Sequence, residues 1–249
     1  MTKETKKWWD DASMGYQQDC KIPIDIHYGP GSPNENHFHL LGNLKGKRVL
    51  EIGCGGAQCG IAMAKKGAIV TGIDISDSQL KFAKELAKKN NVKIKLIQGD
   101  IKNLKPINSN AQDIVFTAWA LHYVDDFASC FKEAYRVLKK KGIFVLALPH
   151  PISRIIDHKT LKVKESYFNT GKWFFEEVWP DKKKHRFVMY NYTISQVFNN
   201  LLNAGFTIEK MIEPDSRKRY PYDPWYGLYE FKPKFLKVVP PTLIFVARK

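Results

Sequence analysis

The sequence predicts an α/β protein with a doubly wound, seven-stranded, mostly parallel sheet. Three observations carry that reading. Short apolar runs alternate with helical patterns over residues 45 to 150, as βαβ units require. One run, Arg48-Val49-Leu50-Glu51-Ile52, ends in the glycine-rich turn Gly53-Cys54-Gly55-Gly56. About twenty residues later a second run ends in an acid, Asp74.

The elements follow in order. Arg48 to Ile52 is the first strand, and Gln58 to Lys66 a helix with Ile61, Ala62 and Ala64 available for packing. Ala68 to Asp74 is the second strand. Ser76 is placed to cap a helix whose Leu80, Ala83, Leu86 and Ala87 recur at helical spacing until Asn90-Asn91. Lys93 to Gln98 alternates apolar residues with lysines and suits a strand near the sheet edge. Asp113 to Ala118 is the fourth strand, and Asp125-Asp126 opens a helix running to about Leu138. Ile143 to Leu148, apolar throughout, reads as a buried parallel strand stopped by Pro149. Thr193 to Ala204 reads as a helix, with a sixth strand at Phe206 to Glu213 and a last one at Thr242 to Ala247.

The turn and the acid together describe a nucleoside site. A turn without side chains lets the backbone approach a ligand, and a strand-end carboxylate accepts from ribose hydroxyls. A dinucleotide fingerprint would need a third glycine where Gln58 stands, and no Lys-Ser or Lys-Thr follows to hold phosphates. A phosphate-free nucleoside fits better.

Val49-Leu50-Glu51-Ile52-Gly53-Cys54-Gly55-Gly56 resembles the first motif of the class I S-adenosylmethionine-dependent methyltransferases. The resemblance continues through Gly72-Ile73-Asp74-Ile75-Ser76, Gln98-Gly99-Asp100-Ile101, and Phe131 to Lys139 with Gly142 after it. It covers roughly residues 45 to 150 well, with Ala57 in place of a usual glycine, and is closest to the small-molecule branch that includes the ubiquinone and menaquinone methyltransferases. It implies S-adenosyl-L-methionine as cofactor and S-adenosyl-L-homocysteine as product. Cofactor-binding candidates are Gly53, Gly55, Glu51, Asp74, Ile75, Gln79, Asp100, Ile101 and Ala118, with Tyr16 or Tyr28 contributed by the N-terminal arm. Thr117 to Tyr123 occupies the position from which the family lines its reaction centre. It lacks the Asn-Pro-Pro-Tyr or Asp-Pro-Pro-Tyr of methylases acting on exocyclic nucleic-acid amines; Asp223-Pro224-Trp225-Tyr226 lies after the sixth strand and reads as a turn. His122 is the candidate general base, since imidazole titrates near neutral pH. His122, Trp119, Tyr123, Tyr167 and Trp173 are the candidate substrate contacts.

A chain of 249 residues with 44% hydrophobic content can bury a full core, and a single domain is expected. Its parts are an arm at 1–44, a cofactor core at 45–149, an insertion at 150–192 and the rest of the sheet at 193–249. The insertion is dense in aromatics, Trp179 among them, and is expected with the arm to form a lid over the carboxyl ends of the strands. No signal peptide or membrane span is read in the sequence, so a cytoplasmic protein is expected. The four cysteines form no Cys-x-x-Cys pair and read as reduced thiols, with no metal site expected. The net charge of +15 invites a polyanionic partner, yet Lys65-Lys66, Lys88-Lys89, Lys139 to Lys141 and Lys182 to Lys184 fall mostly where helix C-termini are expected. A small-molecule acceptor methylated at oxygen, nitrogen or carbon is therefore preferred over RNA or protein. A non-catalytic cofactor-binding module is the reading from another class.

Overall fold

The computed structural model describes residues 2–178, 184–220, 223–228 and 231–249. Trp179, Lys182, Lys183, Pro221 and Tyr222 lie outside the described residues. The chain begins with α1 (Lys3–Cys20), a short α2 (Glu35–Phe38), β1 (Arg48–Ile52), α3 (Gln58–Lys65), β2 (Ile69–Asp74), α4 (Asp77–Lys89), β3 (Lys95–Gln98) and β4 (Gln112–Ala118). After a single 3₁₀ turn at Leu121–Tyr123 come α5 (Phe127–Val137), β5 (Leu138–Pro149), α6 (Pro151–Ile155), β6 (Gly171–Val178) and β7 (Lys184–Asn191). Then follow α7 (Ile194–Asn203), β8 (Thr207–Ile212), α8 (Pro233–Leu236) and β9 (Thr242–Arg248).

Seven strands form one sheet in the order β3-β2-β1-β4-β5-β9-β8, while β6 and β7 pair as a separate antiparallel hairpin. The pairs from β3 to β5 are parallel, and β9 runs antiparallel to both β5 and β8. Consecutive residues of a strand point to opposite faces, and both faces are covered. Leu50, Val115 and Phe144 enter one buried cluster, against Phe131 and Leu201. Their neighbours Val49, Phe116 and Val145 enter another, against Met63 and Tyr28.

The helix starts are chemically specified. Ser76 Oγ accepts from the Gln79 amide at 3.1 Å, Asp126 Oδ1 from Ser129 at 3.1 Å, and Thr193 with Gln196 forms a capping box for α7. Two points differ from the sequence reading. The arm, given no secondary structure from the sequence, carries the 18-residue α1, capped by Thr2. Lys139 to Lys141 end no helix: they open β5, and Lys139 pairs with Asp113 at 2.9 Å. All four cysteines are free and buried, and among the described residues no helix is long and apolar enough to cross a membrane.

Candidate active site

The site is built where β1 and β2 end side by side. Gly53 and Gly55 adopt φ of 68° and 50°, the left-handed region that costs glycine nothing. A Cβ at Gly53 would overlap the Ala120 methyl, so that position admits only glycine on two counts. The amides of Gly53 and Cys54 donate to the Ile73 carbonyl at 2.8 and 3.1 Å, which fastens the turn to β2. Asp74 fastens it from the other side: Oδ2 accepts from the Gly55 amide at 2.8 Å and Oδ1 from Ser76 at 2.9 Å. Burial pushes the Asp74 pKa up, and these amide bonds oppose that rise.

Glu51 lies on β1 beneath the turn. Its Oε2 is buried with no hydrogen-bond partner among the described residues. Burial, reinforced by the charge of Asp74 and opposed by the dipole of the nearby Gly60 amide, pushes its carboxyl up to about 8. An orphaned buried oxygen of this kind calls for a donor.

Both acids line a cavity of about 100 Å³. Its polar wall is formed by Glu51, Gly53, Gly55, Asp74 and Gln79. Facing them is an aromatic wall of Trp9, Tyr16, His27, Trp119 and Trp225. Gln17 of α1 reaches across between the walls. Its Nε2 donates to Gln79 Oε1 at 3.0 Å, and its Oε1 accepts from Gln58 Nε2 at 2.6 Å.

Of the residues singled out in the sequence, Tyr16, Glu51, Gly53, Gly55, Asp74, Gln79, Ala118 and Trp119 thus meet at one cavity. Others do not. Tyr28 is fully buried in the core, its hydroxyl bonded to Glu35 and its ring against Phe38 and Phe116, so it cannot serve the cofactor. Tyr167 accepts from the Ile194 amide at 2.8 Å at the start of α7. Trp173, on the hairpin, lies against the Arg154 guanidinium at 5.9 Å. Tyr123 packs with Trp8 and Trp9 outside the cavity. His122 is buried beside Tyr123 at 4.0 Å and also misses the cavity; burial pushes its pKa down to about 3, which leaves a poor proton acceptor. Ile75, Asp100 and Ile101 stand at the tips of β2 and β3, beyond the enclosed space; Ile101 is fully buried.

The cover also differs from expectation. No described residue of 150–192 lines the cavity; Phe187 of the hairpin packs instead on the outer side of α1, 3.9 Å from Trp8. The closing residues come from α1, the loop after it, and Trp225 in the β8–β9 connection. Gln17, His27 and Trp225 were missed as site residues. Trp225 falls in Asp223-Pro224-Trp225-Tyr226, which reads in the sequence as a turn; its aromatic content is the signal that could have found it.

The methyltransferase domain family matches residues 50–146, the stretch that carries the turn, both acids and β4. Over residues 50–146 the chain carries a methyltransferase domain. The residues fit S-adenosyl-L-methionine as cofactor: the turn at Gly53 and Gly55 presents backbone alone, Glu51 holds an unpartnered oxygen, and Asp74 is fixed at a strand tip. Among relatives of this methyltransferase, a protein of Haemophilus influenzae is 28% identical over 229 residues, 84% of each chain. A ubiquinone biosynthesis O-methyltransferase of Haemophilus ducreyi is 31% identical over 144 residues, 56% of this chain and 58% of that one. The methyltransferase thus spans less than two thirds of that relative. In fold, an S-adenosylmethionine-dependent methyltransferase from Mesorhizobium loti superposes with a TM-score of 0.62 at 24% identity, over 85% of this chain and 95% of that one.

Proposed function

We propose that this methyltransferase transfers the methyl group of S-adenosyl-L-methionine to a small-molecule acceptor at oxygen, nitrogen or carbon. The observation that carries the proposal is the cavity itself, which brings the acid-tipped glycine turn and a set of aromatic side chains together in one space. When bound, the cofactor supplies an electrophilic methyl on a sulfonium. The chain's own residues orient and shield. Asp74 would take the ribose hydroxyls, and Glu51 would give its unpartnered oxygen to the ammonium of the methionine portion. Gly53 and Gly55 would admit the ligand backbone-close, and Ile75, Asp100 and the Ile101 amide, on the next strand tips outward, would receive the adenine. The aromatic wall would exclude water and hold the acceptor in line, which accounts for much of the barrier in a displacement of this type. The name of the ubiquinone-pathway relative supports an acceptor of small size.

Calorimetry with S-adenosyl-L-homocysteine tests the cofactor half. Binding to the native protein is expected, with a loss of about 100-fold or more in Asp74→Ala, since two charge-assisted bonds disappear. Incubation with methyl-labelled cofactor and fractionated extract tests the acceptor half: label entering the metabolite fraction supports it, and label confined to RNA or protein overturns it.

A further inference from the structure

The methyltransferase has 40 lysines and arginines against 25 acids, yet none of the described residues lining its cavity is a lysine or arginine. The acids there are Glu51 and Asp74. An anionic acceptor would be desolvated beside the Asp74 carboxylate with no lysine or arginine to pair it, a cost of several kcal/mol or more per ion. Much of the remaining lining is aromatic: Trp9, Tyr16, His27, Trp119 and Trp225.

Two indoles dominate it, and both are held by other parts of the chain. Trp119 follows β4 with φ of 58°, a conformation that bulky residues almost never adopt. Its amide donates to Ala147 O at 2.9 Å and its Nε1 to Thr242 Oγ1 at 3.1 Å, and Thr242 in turn donates to Pro30 O at 2.7 Å. Gly29 allows the ring to lie flat on the backbone, where any Cβ would overlap it. Trp225 is 5% exposed, its Nε1 3.3 Å from Tyr16 Oη and its ring meeting His27 edge-on at 5.0 Å. Asp223 ties the two supports together. Its Oδ1 accepts from the Trp225 amide at 3.0 Å and its Oδ2 from the Gly31 amide at 2.7 Å. Strain at one indole and a dedicated carboxylate brace at the other, both facing the turn and Asp74, are expensive features for mere packing.

From this we infer that Trp225, with Trp119, walls an acceptor subsite that takes a flat, uncharged molecule bearing a hydroxyl or amino group. The inference rests on the small-molecule reading above and narrows it. Trp225 sets acceptor specificity, while the cofactor side is left to β1 and β2.

The test uses the full-length protein saturated with S-adenosyl-L-homocysteine, titrated with catechol as the uncharged flat probe and with phenyl phosphate and benzoate as its anionic counterparts. Catechol is expected to bind about tenfold or more tighter than either anion. Trp225→Ala should weaken catechol about tenfold or more, Trp225→Phe should restore it to within about threefold, and both variants should hold S-adenosyl-L-homocysteine within about threefold of the native protein. Equal binding of an anion, failure of catechol to bind, or unchanged catechol affinity in Trp225→Ala would each overturn the inference. Absence of S-adenosyl-L-homocysteine binding would instead sink the cofactor assignment, so the two failures are told apart.

Discussion

Glu51 shows what one buried acid costs and what it is for. In the unfolded chain its carboxyl titrates near 4.5, and in the fold near 8, so between those values the folded state holds a proton that the unfolded state has released. Stability therefore falls as pH rises through that window, by on the order of 4 kcal/mol for a shift of this size. Glu51→Gln keeps the shape and removes the titration. Urea unfolding is expected to find the variant close to the native protein at pH 5 and clearly more stable at pH 8; parallel curves at both would show that Glu51 is already ionised in the fold. The residues of this wall were readable in the sequence because each has a reason tied to a strand end: a turn that needs positive φ, an acid that closes it. His122 and Tyr28 fall outside the cavity lining for a common cause. A lone histidine or tyrosine carries no signal of which way its ring turns, and both turn into packed surroundings.

At the scale of elements, α1 is the piece that the sequence hid. Its buried face mixes Trp8 and Ala12 with Ser13 and Gln17, so no clean apolar stripe announces a helix. Its docking is correspondingly polar. Asp10 accepts from Ser76 Oγ at 2.8 Å, and Lys6 bridges Asp10 and Asp77 at 2.6 and 2.7 Å. Partly exposed pairs of this kind contribute up to about 1 kcal/mol. A cavity of about 100 Å³ is well below the roughly 300–1,000 Å³ typical of ligand pockets, so a cover must yield before a nucleoside enters. Helix α1, which carries Gln17 into the cavity lining, is the cover whose movement the next variant tests. Asp10→Ala is expected to cost the whole protein about 1 kcal/mol while raising the association rate of S-adenosyl-L-homocysteine several-fold in stopped-flow fluorescence. A rate equal to that of the native protein would count against α1 as the moving part. The strands, by contrast, were legible from their apolar runs. What was not legible was which insertion covers the site, and topology explains why. Because β9 is antiparallel to β5, with Thr242 paired to Pro149, the β8–β9 connection must arrive at the end of the sheet where the site lies. The 150–192 insertion starts from that end too, but its hairpin packs on α1 through Phe187 and Trp8 and contributes no described residue to the cavity lining.

For the molecule as a whole, the excess of positive charge and the character of the cavity point in opposite directions. Lys65 of α3 and Lys88 and Lys89 of α4 sit in the last turns, where they complement the helix dipole. A basic groove at Lys102, Lys105, Lys132 and Arg136 is partly neutralised from within: Arg136 is held by Glu133 at 2.7 Å and Lys102 by Asp125 at 2.6 Å. A surface of this net charge should still attract polyanions through their phosphates, without reading them. The expected result is that a random-sequence RNA binds at 50 mM salt, loses about tenfold or more of its affinity by 200 mM, and binds equally with or without S-adenosyl-L-homocysteine. Fluorescence anisotropy at the two salt concentrations measures this. Coupling would be the decisive contrary outcome, because binding and cofactor affinity are reciprocally linked only if both ligands act on the same states of the protein. An RNA that gripped tighter when the cavity was loaded would have to touch α1 or the β8–β9 connection, and the basic surface would then belong to the reaction rather than lie around it.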